Sequence, residues 1–166
     1  KEEYAAMLEY SYNQNEHPVA IRVPSSDFIS TGIKDNTDYS VLNKYKVLEN
    51  GEKVAIIGLG DFLELGKAVK TKLKNRFNFD ATLINPRFIT GIDKELLESL
   101  KQNHKVVITL ENGELDGGFG EKITRFYGNS DMRVFNYGSF KEFSDRTPYD
   151  ELMIRYHLKP ELIVND

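Results

Sequence analysis

No cysteine occurs in the 166 residues, which excludes disulfides, thiolate nucleophiles and thiolate zinc sites and points to a cytoplasmic setting. No apolar run approaches the ~20 residues that span a bilayer. The opening KEEYAAMLEY has none of the basic, apolar and small-residue regions of a secretory signal. It also lacks an initiator methionine, so the chain is read as a piece of something longer. Basic residues are not gathered: the formal net charge is -4, with Lys and Arg scattered among acids, so neither nucleic acid nor an anionic membrane is expected as a partner. A small anion that finds a local basic site remains open. Internal repeats and low-complexity tracts are missing too.

The residues present are 40% hydrophobic and 29% charged, ordinary globular usage in a chain long enough for one core of useful size. Glu2 to Asn13 carries Tyr4, Met7 and Leu8 at helical spacing before NQNEHP stops it. PVAIRVP, Pro18 to Pro24, is short, apolar and β-branched, and predicts a strand. Ser25 to about Lys44 is polar and without period, and reads as a linker. From Tyr45 onward strand and helix alternate. YKVLENGEKVAIIGLG offers a strand, a turn at Glu49 to Glu52 and a nearly continuous apolar strand. Phe62, Leu65, Val69, Leu73 and Phe77 then share one helical stripe. DATLINP, KVVITLEN and MRVFNYG are further strands. DKELLESLKQN is a helix capped by Asp93, GFGEKITRFYG a helix closed by Gly128, and PYDELMIRYH a last helix with Pro148 near its start. Such alternation predicts an α/β fold: a mostly parallel sheet covered on both faces, its first strand added antiparallel through the Asn50-Gly51 turn.

Motif by motif, chemistry is sparse. Gly58 and Gly60 follow a buried strand and open a helix, but Leu63 stands where a dinucleotide fingerprint needs its third glycine, and no Lys-Ser/Thr follows for a phosphate loop. A tight strand-to-helix turn is the better reading. In ENGELDGGFGEKI, Gly117 and Gly118 sit where free N–H groups of a helix start meet anions. Yet Glu111, Glu114 and Asp116 would repel a phosphate, so close backbone packing is preferred there. His17, His104 and His157 are far apart, none in a metal-ligand spacing, and are read as solvent-facing or end-capping. No Gly-x-Ser-x-Gly elbow is present. Arg22 differs from these, being a guanidinium in an otherwise apolar predicted strand, placed to hook a phosphate or carboxylate or to pair with a nearby acid.

In order along the chain, HPVAIRVP, NGEKVAIIGLG, DATLINPRFITGIDKELLESL, KVVITLENGELDGGFGEKI and VFNYGSFKEF resemble the C-terminal part of the 1-deoxy-D-xylulose-5-phosphate synthases of the transketolase family, with their GPVAIRYPRG, EGEKVAILGFG, VVNARFVKPLDEELL, VTLEENVLAGGFGS and GLPDRFI stretches. The resemblance covers nearly the whole chain. It implies that residues 1–24 are the helix and strand ending a pyrimidine-binding domain, 25–44 a linker, and 45–166 a three-layer αβα transketolase C-terminal domain that helps build a homodimer. Gly58, Gly60, Gly117, Gly118 and Gly120 are then architectural. The implied parent is a cytoplasmic enzyme of isoprenoid and thiamine precursor supply that uses thiamine diphosphate and Mg²⁺ to condense pyruvate with glyceraldehyde 3-phosphate, releasing CO₂. The Gly-Asp-Gly…Asn motif and activating Glu of that family have no match here, so no cofactor, metal or catalytic residue is expected in this piece, which needs the rest of the parent chain. Arg22 matches the first arginine of the family's RYPRG, a substrate-phosphate ligand, while Ser25 and Ser26 replace its second arginine and glycine. That replacement implies an altered acceptor preference. A transketolase, the β subunit of a 2-oxoacid dehydrogenase, or a free-standing binding module are the alternatives.

Overall fold

Which helix covers which face follows from the alternation of side chains along three strands buried on both sides. The computed structural model describes residues 1–24 and 28–166. Its strands are β1 (Lys46–Glu49), β2 (Lys53–Gly58), β3 (Thr82–Asn85), β4 (His104–Glu114) and β5 (Arg133–Ser139), and its helices are α1 (Glu2–Asn13), α2 (Phe62–Phe77), α3 (Lys94–Leu100), α4 (Phe119–Tyr127), α5 (Tyr149–Arg155) and α6 (Pro160–Asn165). The strands form one sheet in the order β1-β3-β2-β4-β5. All neighbours are parallel except β1, which runs antiparallel to β3. In the β2 register Ile56 lies beside Leu83 and Ile108, and these three share a core with Phe62, Val69 and Leu73 of α2 and with Tyr156 and Ile163 of the C-terminal helical segment. Their sequence neighbours Ala55, Ile57, Ile84 and Val107 point the other way, onto Leu97 and Leu100 of α3 and Phe119, Ile123 and Tyr127 of α4. The result is the expected three-layer α/β arrangement, mostly parallel with one antiparallel pair.

Caps and turns set the element ends. Asp93 Oδ1 accepts from Leu96 N–H at 3.1 Å, capping α3, while its Oδ2 accepts from Tyr45 N–H at 3.1 Å. Asn78 closes α2 in the left-handed conformation, φ 56°.

Three expectations need correction. The antiparallel strand is present, but its neighbour is β3 rather than β2. Gly51 crosses the start of β3 so closely that a Cβ would lie 2.1 Å from Asp80 O, and the Glu52 and Gly51 N–H groups donate to Asp80 O (2.8 Å) and Thr82 Oγ1 (2.9 Å). The Asn50-Gly51 link is therefore a crossing, not a hairpin. Residues 18–24, expected as a strand, pair with no other strand among the described residues; the resemblance puts their sheet in an upstream domain, and an extended segment without a neighbour has no ladder to hold it. Finally, the last predicted helix stops at Arg155, and a second, α6, follows with Pro160 at its start.

Contacts divide the chain into two compact units, Lys1–Leu42 and Asn43–Asp166. In the first, Tyr4 of α1 stacks on Phe28 with centroids 4.9 Å apart, and Asp35 accepts from the Thr37 (2.6 Å) and Tyr39 (2.8 Å) hydroxyls. The second holds the sheet.

Candidate functional site

The first N–H groups of a helix have no intrahelical partner and carry the positive end of its dipole. In this parallel sheet the starts of α2 and α4 gather at the C-terminal ends of β2 and β4, where ligands of open α/β sheets collect. At α4 the donors are already taken. Phe119 N–H donates to Glu111 Oε2 and Gly120 N–H to Glu111 Oε1, both at 2.8 Å. Glu111 is only 3% exposed, so the chain's own carboxylate fills the position an external anion would take.

The glycines fit around it. A Cβ on Gly118 would lie 2.3 Å from Glu114 O and 2.7 Å from Glu111 Oε1, and one on Gly120 would lie 2.6 Å from Thr109 Oγ1 and 2.7 Å from Asn136 Cγ. Thr109 donates to Asn136 Oδ1 (2.7 Å), and Asn136 Nδ2 donates to Thr124 Oγ1 (2.7 Å), so the chain of polar groups behind Gly120 joins β4, β5 and α4. Gly117 has open space around it but φ 74°, a left-handed turn. The β2 end repeats the pattern: a Cβ on Gly58 would lie 2.7 Å from Leu63 Cα, and Gly60 adopts φ 62° in open space. Between the two strand ends, Asn112 Nδ2 donates to Asp61 Oδ1 at 3.0 Å.

At the opposite edge of the sheet lies a neutral network. Gly51 N–H donates to Thr82 Oγ1, which sits 2.8 Å from His104 Nε2, and His104 Nδ1 sits 3.0 Å from Leu100 O. A carbonyl only accepts, so Nδ1 carries the hydrogen and Nε2 accepts from the Thr82 hydroxyl. Burial lowers the His104 pKa, opposed by the Leu100 hydrogen bond, and the neutral ring is the form the network uses.

Sequence reading misses the role of Glu111 and reaches that of His104 only in part. Glu111, read as an acid that would repel an anion, satisfies the helix start; an acid directly after a buried strand and just ahead of a Gly-Gly helix start was the available signal. Of the two readings of His104, solvent-facing fails, since the residue is 6% exposed, while end-capping holds, since its Nδ1–H meets the Leu100 carbonyl at the end of α3. The nearest sign of its role was Leu100, whose carbonyl it meets, four residues earlier at a helix end. Arg22 is exposed in the Lys1–Leu42 unit, and Ser25 and Ser26 lie outside the described residues. Among the described residues no group of three His, Cys, Asp or Glu side chains is arranged to hold a metal ion, and no helix is long and apolar enough to cross a membrane. The α4 helix start, whose N–H groups could meet a diphosphate, is filled by the Glu111 carboxylate, and an anion there would be repelled by it, so these residues do not fit an Mg²⁺-diphosphate group.

Residues 43–163 match the family model of the transketolase C-terminal domain. The chain is 35% identical to the 1-deoxy-D-xylulose-5-phosphate synthase of Clostridium tetani over 99% of its own length and 26% of that protein. It is 30% identical to the synthase of Lachnoclostridium phytofermentans over 87% of its own length and 24% of that protein. The chain thus spans about a quarter of the curated relatives it matches. Among solved structures it is similar to a split gene transketolase, an inactive beta4 tetramer, with TM-score 0.69 and 23% identity over 86% of this chain and 45% of that one; this likeness speaks to fold. On the family match and the identity to the synthases, the chain belongs to the transketolase C-terminal domain family.

Proposed function

We propose that this chain is the C-terminal portion of a 1-deoxy-D-xylulose-5-phosphate synthase-like enzyme, and that its own part is structural: it builds the C-terminal domain and a homodimer contact, while the rest of the parent chain binds thiamine diphosphate and Mg²⁺. When bound in the parent, the thiazolium supplies a two-carbon carbanion equivalent from pyruvate for addition to glyceraldehyde 3-phosphate. The observation that carries this reading is that the 35% identity runs over 99% of the chain, including the Lys1–Leu42 unit ahead of the matched domain. Gly58, Gly60, Gly117, Gly118 and Gly120 serve as turns and close approaches, and Arg22 supplies a phosphate contact in the assembled enzyme. Such a charge-assisted contact is worth about 1.5–3 kcal/mol.

The test is an assay of the full-length protein from its source. Formation of deoxyxylulose phosphate and CO₂ is expected, with Arg22→Ala raising KM for glyceraldehyde 3-phosphate by about 10- to 100-fold and moving kcat much less. No product from any 2-oxoacid with a sugar phosphate would sink the synthase reading, and an unchanged KM would remove Arg22 from it. A second reading, a separately encoded subunit that needs a catalytic partner chain, is favoured by the likeness to the split gene transketolase. An intact mass of the native protein close to 19.1 kDa selects it.

A further inference from the structure

A second oxyanion is gripped in the molecule, at residues 30–32 of the Lys1–Leu42 unit, and nothing in the synthase reading uses it. The anion is the carboxylate of Glu2, the first residue of α1. Its Oε1 accepts from the Ser30 hydroxyl and from Gly32 N–H (3.2 Å), and its Oε2 accepts from Thr31 N–H (3.0 Å) and the Thr31 hydroxyl (3.2 Å). Four donors from three successive residues meet two oxygens, two on each. Gly32 makes this possible: at φ 69° its N–H turns to the same side as that of Thr31, the concavity of an anion nest. An added Cβ there would meet nothing within 4 Å, so the glycine serves backbone direction rather than packing.

The occupant is held differently from Glu111. Glu111 is enclosed between strand and helix, whereas the Glu2 side chain is 22% exposed and belongs to the first turn of a helix with no buried residue. Rotation of one side chain empties the nest, and the donors, 28 to 30 residues away in sequence, do not depend on Glu2 to be joined to one another.

We propose that Ser30-Thr31-Gly32 is a binding site for a small oxyanion, a carboxylate or a phosphate monoester, and that Glu2 is its resident, displaceable ligand. The donors select the charged form: with the Ser30 hydrogen bond as the largest cause, they hold the Glu2 carboxyl at about 2, so the resident stays ionised at neutral pH. An external anion then competes with a tethered one, whose effective concentration is in the millimolar range or above. The unsubstituted chain binds free anions weakly for that reason, and emptying the nest reveals the site.

Glu2→Ala removes the resident carboxylate and leaves the Ser30, Thr31 and Gly32 donors without it. Titrating this variant with inorganic phosphate and, separately, with acetate, while following backbone amide resonances, is expected to move Thr31 and Gly32 saturably, at concentrations at least tenfold below those needed in the unsubstituted chain. Earlier saturation by phosphate assigns a phosphate monoester, and equal or earlier saturation by acetate assigns a carboxylate; either supports the site. Absence of saturation with both, in a variant whose other amides are unchanged, overturns it. If the variant loses α1, the carboxyl titration of Glu2 in the unsubstituted chain decides. A midpoint near 2 that returns to the ordinary glutamate range in Ser30→Ala/Thr31→Val supports the nest, and an ordinary midpoint in the unsubstituted chain overturns it.

Discussion

The two ends of the sheet solve the same problem with opposite chemistry. Where β4 ends, α4 begins, and its unpaired N–H groups are met by the buried carboxylate of Glu111. Where β4 begins, α3 has just ended, and the Leu100 carbonyl at that terminus accepts both from Asn103 N–H (3.3 Å) and from the Nδ1–H of a neutral His104 (3.0 Å). In a parallel α/β sheet helix starts collect at one edge and helix ends at the other, so one edge is rich in orphan donors and the other in orphan acceptors. A charged acceptor is tolerated at the first because the helix dipole favours it; a neutral donor suffices at the second. The difference also says why the glycine-rich turn of this chain does not read as a phosphate cradle: its anion is built in.

Removing Glu111 breaks that contrast most severely. Glu111→Ala leaves two buried N–H groups without an acceptor and is expected to cost roughly 3 kcal/mol or more, read as a lower urea midpoint of unfolding. Glu111→Gln restores one acceptor but turns an NH₂ toward the other N–H, for a loss of about 1.5–3 kcal/mol. Losses below 1 kcal/mol in both would mean that water serves the helix start as well as the carboxylate does.

Adjacent glycines sharpen the comparison. Gly118→Ala drives a Cβ against the Glu114 carbonyl, a backbone atom that cannot rotate away, and is expected to cost about 2–3 kcal/mol. Gly117→Ala meets only its own left-handed φ and is expected to cost about 1 kcal/mol. Equal losses at the two positions would remove close approach as the reason for the Gly-Gly pair. At the opposite edge, Thr82→Val keeps the shape while deleting the hydroxyl between Gly51 N–H and His104 Nε2, and about 1–2 kcal/mol should be lost.

The sequence reached the sheet because its signals are local. Ala55 to Ile57 and Val106 to Leu110 are continuous apolar runs that only a doubly covered strand explains, and Asp93 ahead of an apolar-periodic segment is a cap. Strand order is not local, which is why β1 was placed beside β2: Asn50-Gly51 is a hairpin signal, and only the closeness of Asp80 shows it to be a crossing. Burial of single polar residues was equally hidden. Glu111 has the same letter whether it faces solvent or a helix start, and His104 gains its meaning from Thr82 and Gly51, which the chain brings to it from 22 and 53 residues away. The Glu2 nest joins residues about thirty apart and left no periodic trace.

The weakest handle on the comparison is pH, through His104. An unfolded His104 titrates near its ordinary 6.5, whereas in the folded chain burial lowers the value. Above 6.5 neither state binds the proton, and the network's contribution is complete. As pH falls below 6.5 the unfolded chain takes up a proton that the folded chain refuses, so stability declines with falling pH until the lowered folded value is reached, below which this group has no further effect. His104→Asn removes the titration and places an amide N–H near the former Nδ1, keeping a donor for Leu100 O. Urea midpoints between pH 7.5 and 5.5 are therefore expected to fall more steeply for the unsubstituted chain than for His104→Asn. Parallel slopes for the unsubstituted chain and His104→Asn would show that His104 accepts a proton in place, and that both edges of the sheet can hold a charge.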